Sequence, residues 1–230
     1  MTIRAIVTDI EGTTSAISFV HEVLFPYAGR ELPGFVARHA GDEDIDALLD
    51  DARREAEEPD ADTDRTIEIL LEWIREDRKA TPLKALQGHI WRAGYESGDF
   101  TGHVYDDAVS GLRRWSADGL RLFVYSSGSV GAQKLLFGYS DAGDLTPLFE
   151  DYFDTRVGHK QEAGSYERIA DAVGIDANDI LFLSDVAGEL DAAAAAGMQV
   201  CQLVRDDEVV VGTHPTARSF DEVIIDDVPS

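Results

Sequence analysis

The chain has 230 residues, 44% of them apolar and 28% charged, enough for one large domain or for a core carrying a smaller insertion. Its formal net charge of −25 argues against nucleic acid or an anionic membrane as a partner, because no basic patch exists to release counterions. The single cysteine, Cys201, excludes an intramolecular disulfide, and neither a membrane-length apolar run nor a signal-peptide pattern is present, so the expected setting is a reducing cytoplasm.

In chain order, the first element is a short β-prone run, Ile3, Ala5, Ile6 and Val7, ending in Asp9 and Glu11, then Gly12 and two threonines. So few polar interruptions suit a strand covered on both faces of a parallel sheet. Ligands of such sheets gather outside the carboxyl ends of the strands, where both acids would sit. Residues 15–102 then change character. Apolar residues at 45–49 and 67–74 recur at helical spacing, residues 55–64 form an acidic connection, and Pro82 starts a further helix. No strand is expected here.

From Asp106 helix and strand alternate. Helices are expected at 109–115, 130–137, 165–173 and 189–196, the last closed by Gly197. Strands are expected at 121–127, 152–155, 180–185, 200–204 and 223–225. This alternation implies an α/β fold, a doubly wound and mostly parallel sheet with right-handed crossovers.

Several of these strand ends carry chemistry. Asp9 with Asp185 makes a hard-oxygen pair suited to Mg²⁺. Ser126, Ser127 and backbone N–H groups at a helix start, with Lys160, supply what a phosphate needs. Each piece also has a plainer reading: a turn and helix cap at 126–128, acids at a helix start for Asp185 and Glu189, an exposed lysine at 160. The six histidines show no zinc spacing, and Trp73, Trp91 and Trp115 read as core. Jointly the strand ends point to phosphoryl transfer.

Asp9, Glu11, Gly12 and Thr13, then Ser126, Lys160 and Asp185, fall in the order of the motifs of haloacid dehalogenase-like phosphohydrolases, which the sequence therefore resembles. That superfamily usually has aspartate where Glu11 stands. The departure, with the segments 87–91, 125–129, 158–160 and 183–190, is similar to the enolase-phosphatase family of methionine salvage, also called acireductone synthase.

The resemblance implies a Rossmann-like core from residues 1–14 and 103–230, with a helical cap from 15–102. It implies one Mg²⁺ per subunit, held by Asp9, Glu11 and Asp185. Asp9 would be the nucleophile, Glu11 the general acid/base, and Ser126, Ser127 and Lys160 the phosphate ligands. The implied reaction converts 2,3-diketo-5-methylthiopentyl-1-phosphate to 1,2-dihydroxy-3-keto-5-methylthiopentene and phosphate, in a monomer. Gln87, His89, Trp91 and Tyr95 are candidate lid residues, with packing as their plainer role. The alternatives are another small-metabolite phosphatase or phosphomutase of the superfamily and, less in keeping with the long insertion, a non-enzymatic phospho-acceptor module.

Overall fold

The structure, a computed structural model, describes residues 2–225. The chain divides into two compact units, one of Met1–Ile17 with Thr101–Ser230, the other Ser18–Phe100.

The first unit is built on six strands: β1 (Ala5–Thr8), β2 (Arg121–Tyr125), β3 (Asp151–Phe153), β4 (Ile180–Ser184), β5 (Gln199–Leu203) and β6 (Thr216–Ala217). All pair in parallel, in the order β3-β2-β1-β4-β5-β6. The strand first in sequence is therefore central. Every residue of β1 and β4 is buried, which explains their unbroken apolar runs. Thr8 pairs with both Val124 and Leu183, so the chain leaves β1 level with the ends of its two neighbours. That opening between β1 and β4 is where the strand order reverses, the position at which such sheets bind ligands.

The expected strand at 223–225 is not formed. A 3-10 turn at Phe220–Glu222 precedes an irregular stretch, and β6 supplies the edge instead. Phe220 is the residue that buries, 5.1 Å from the Trp115 ring, while Ile224 is 81% exposed. Three apolar residues in a row there do not share one inward face. Cys201 is buried in β5, and burial raises its thiol to about 11, so it is inert.

The chain leaves this unit after residue 17 and returns at 101. Its two ends are tied to each other inside the unit: the Tyr105 N–H donates to the Thr14 carbonyl at 2.9 Å, and the Ala16 N–H to His103 Nδ1 at 3.1 Å.

The second unit is helical. A short α1 (Ile17–Phe19) leads through a π turn (Val20–Leu24) into α2 (Phe25–Arg38). Pro26 explains that turn: it has no N–H for a regular i−4 bond, and the preceding Phe25 N–H reaches five residues back to Val20. Then come α3 (Glu43–Glu55), α4 (Thr63–Arg75) and α5 (Thr81–Ser97). Asp42 and Asp62 accept backbone N–H groups as N-caps. Pro82 lies in the first turn of α5, and Gly98, at φ +76°, ends it. Leu32, Leu70, Leu83 and Leu86 are fully buried between these helices. Trp91 packs within the unit, its ring 6.4 Å from Phe25 and its Nε1 donating to the Leu24 carbonyl at 2.9 Å. Gln87 and Tyr95 are buried and His89 is exposed.

The remaining helices belong to the sheet unit: α6 (Asp106–Ala117), α7 (Val130–Gly138), α8 (Ala163–Val173) and α9 (Ala187–Ala195). No helix among the described residues is long and apolar enough to cross a membrane.

Candidate active site

Asp9 follows β1 directly, its N–H donating to the Leu183 carbonyl of β4 at 2.9 Å. Its carboxylate is 3% exposed as a residue and Oδ1 accepts the Ile10 N–H at 2.8 Å. Lys160 Nζ lies 2.7 Å from the same oxygen. A buried lysine needs pairing, and this one has two partners: the second is Glu189 Oε2, also at 2.7 Å. Burial alone would lower the Lys160 ammonium, but Asp9 and Glu189 outweigh it, and its pKa rises. It stays charged.

The lysine is set in place from below. Tyr166 Oη donates to the Lys160 carbonyl at 2.6 Å, and the Tyr125 ring lies 5.7 Å from Nζ. Both tyrosines are fully buried, edge to face at 5.5 Å. Glu189, in the first turn of α9, is fixed in turn by Ser184 Oγ at 2.9 Å.

On the other side of β1, Ser126 Oγ at the end of β2 donates to Glu11 Oε2 at 3.1 Å and accepts the Gly128 N–H at 3.0 Å. Burial, then the charge of Asp9, raises the Glu11 carboxyl above its ordinary value. Ser127 follows as an exposed residue in the turn before α7. Two interior groups shape that turn: Gln133 Nε2 donates to the Gly128 and Phe153 carbonyls, each at 2.8 Å, and Asp154 Oδ2 accepts the Val130 N–H at 3.3 Å.

Asp185, just past β4, reaches the same place. Gly12, at φ +72°, abuts its carboxylate so closely that any Cβ there would overlap it. Asp185 Oδ1 is buried and accepts no hydrogen bond. Burial, then Asp9, lifts its carboxyl to about 6. Gln202 in β5 holds its backbone, Nε2 donating to the Asp185 carbonyl at 2.8 Å.

Asp9, Glu11, Ser126, Lys160 and Asp185, far apart in sequence, are thus brought together at the carboxyl ends of β1, β2 and β4. Asp9, Asp185, Glu11 and Glu189 face one lysine. That surplus of hard oxygens, one of them buried without a partner, fits a divalent cation such as Mg²⁺. Among the described residues no three His, Cys, Asp or Glu side chains form a cage by themselves. One or two carboxylates are how Mg²⁺ is commonly held, with waters and phosphate completing its shell. Glu189 was not among the expected site residues; its place four residues after Asp185 looked like a helix start.

Comparison with known proteins decides the family. A model described as haloacid dehalogenase-like hydrolase matches residues 3–197. Enolase-phosphatase E1 of Pseudomonas aeruginosa is 60% identical over 98% of this chain and 100% of its own length. Enolase-phosphatase E1 of Azotobacter vinelandii is 60% identical over 96% of each chain. The chain belongs to the enolase-phosphatases, within the haloacid dehalogenase-like hydrolases. Among solved structures, the UTR4 protein of Saccharomyces cerevisiae superposes with a TM-score of 0.83 at 35% identity, over 96% of this chain and 100% of that one. The Bacillus subtilis hydrolase YfnB, solved bound to magnesium, shares the fold at 14% identity and a TM-score of 0.61, over 96% and 97% of the two chains.

Proposed function

We propose that this chain is a Mg²⁺-dependent bifunctional enolase-phosphatase that enolises 2,3-diketo-5-methylthiopentyl-1-phosphate and then releases its phosphate. The product would be 1,2-dihydroxy-3-keto-5-methylthiopentene, in the salvage of methionine. One observation carries the chemistry: Lys160 Nζ sits 2.7 Å from Asp9 Oδ1, while Glu11 is held on Ser126 on the other side of β1. In this reading Asp9 is the nucleophile, Lys160 its counter-charge and Glu11 a separate acid. The curated relatives named above, 60% identical over nearly the whole chain, support the substrate class.

In this reading Asp9 attacks phosphorus in line and forms an aspartyl-phosphate, and Glu11 gives its proton to the departing oxygen. Glu11 then takes a proton from the water that hydrolyses the intermediate. Lys160, fixed by Glu189 and in ion-pair contact with Asp9, neutralises charge on the transferring group. Ser126, Ser127 and the N–H groups at the start of α7 bind phosphate oxygens. Asp9, the Glu11 backbone carbonyl and Asp185 would hold Mg²⁺, which when bound would supply neutralisation of the negative charge on the substrate. Glu11 is also our choice for the base that removes the C1 proton. Residues 15–102 are the helical cap unit in this reading, and the enzyme works as a cytoplasmic monomer.

The test is one reaction followed two ways. Purified protein with Mg²⁺ and the diketo-phosphate is expected to show a rise in ultraviolet absorbance from the enol before inorganic phosphate is released. EDTA should abolish both and Mg²⁺ restore both. Phosphate release with no prior absorbance would leave a plain small-metabolite phosphatase.

A further inference from the structure

Arg205 lies just past β5, outside every motif of the reaction, yet its side chain is only 7% exposed. Its fork is fully engaged. Nε and Nη2 both donate to the Thr13 carbonyl, at 3.0 and 2.7 Å, and Nη1 donates to Asp107 Oδ2 at 2.7 Å. The guanidinium stacks 4.3 Å from the Tyr105 ring and 5.3 Å from that of Phe220. Asp107, in the first turn of α6, is itself fixed by the Phe220 N–H at 2.7 Å. An aligned, buried arginine pointing two donors at one carbonyl is an expensive arrangement unless that carbonyl needs holding.

Thr13 is two residues from Glu11. Between them Gly12 takes a positive φ of +72°, a conformation without side-chain restraint. The upstream end of this turn is anchored by β1 through Asp9. Downstream, the Gly12 N–H bonds the Ser15 carbonyl at 2.8 Å and the Thr13 N–H the Ile10 carbonyl at 3.1 Å inside the turn, and the Tyr105 N–H holds the Thr14 carbonyl at 2.9 Å from outside it. Arg205, 192 residues away in sequence, ties Thr13 to the far side of the sheet.

We propose that Arg205 is a positioning residue for Glu11: by clamping the Thr13 carbonyl it sets the turn that aims the Glu11 carboxyl at the reacting group. This rests on the reading of Glu11 as the acid/base, and the experiment separates the two. Phosphate release is measured in a double-mutant cycle of Arg205→Met and Glu11→Gln, with melting temperatures alongside. Methionine keeps an apolar stem between Tyr105 and Phe220 but removes every donor. Misplacing a catalytic group by about an ångström costs roughly a hundredfold. R205M is therefore expected to lower kcat about 10- to 100-fold with KM within about threefold, and to cost no more than about threefold in the E11Q background. A residue that merely supports the fold would cost the same in both. If E11Q is crippled and R205M is equally costly in both backgrounds, or if R205M alone leaves kcat intact, the proposal is overturned. Near-wild-type turnover by E11Q overturns the acid/base reading and this inference with it. Should R205M not fold, R205K serves: it keeps the charge beside Asp107 but offers Thr13 a single donor at most. An intermediate loss of kcat that vanishes in E11Q supports the proposal; full kcat overturns it.

Discussion

The two units bury opposite kinds of interior. In Ser18–Phe100 the buried polar side chains are Thr66 and Gln87, among the described residues. In the sheet unit Asp9, Lys160, Glu189, Asp154, Gln133 and Gln202 are all buried, together with a series of serines and threonines. Burying charge is costly unless it is paired and hydrogen-bonded. The helical unit avoids the cost and leaves its ion pairs, such as Arg65 with Glu58, at the surface. The sheet unit accepts it at the carboxyl ends of its strands, most of all around Asp9, Lys160 and Glu189. The lesson is that polar burial marks where the chemistry is, and a dry interior marks where only stability is at stake.

Substitutions can break that contrast. The largest effect is expected from Asp9→Asn, which should lower phosphate release by roughly a thousandfold or more while circular dichroism and melting temperature stay near wild type. Turnover close to wild type would remove Asp9 as nucleophile. In the helical unit the reverse is expected. Leu70→Ala, at a fully buried site, should cost about 2–5 kcal/mol in denaturant unfolding with kcat of the folded protein within about twofold. A large loss of kcat at full stability would mean that this interior does more than pack.

A smaller effect concerns pH. Burial, then the charge of Asp9, lifts Glu189 from 4.5 to about 7. Its contribution to stability is complete below the unfolded value and is lost as pH rises through the folded one. Metal-free protein should therefore melt at progressively lower temperature as pH rises from about 4.5 to 7, and Glu189→Gln should flatten that slope. The smallest effect belongs to the surface. Arg65→Ala removes exposed pairs with Glu58 and Glu68 and should leave the melting temperature within about a degree.

Much of this was legible in the chain itself. Strand ends at Asp9, Ser126 and Asp185 could be read because buried parallel strands are continuous apolar runs that stop where polar chemistry starts. The helices of 43–97 could be read because one face of each repeats at helical period and Pro82 marks the start of the last; their caps Asp42, Asp62 and Gly98 emerged only with the structure. What escaped was set by tertiary contact. Glu189 reads as an acid at a helix start until Lys160 is found against it. Arg205, Asp107 and Gln202 carry no local pattern: Arg205 and Asp107 meet each other 98 residues apart, and Gln202 reaches Asp185 from 17 residues on. The failed strand at 223–225 shows the opposite error, local propensity overridden by where Phe220 had to go.

The paired bonds between Thr14 and Tyr105, and between Ala16 and His103, carry one more consequence. Because departure and return points are stapled side by side, closing the excursion between them adds little entropic burden, and that burden grows only slowly with its length. The sheet unit behaves as a socket with a fixed gauge. Helical inserts of quite different size should be exchangeable there, or replaced by a short tether, while the strand order beneath is left undisturbed.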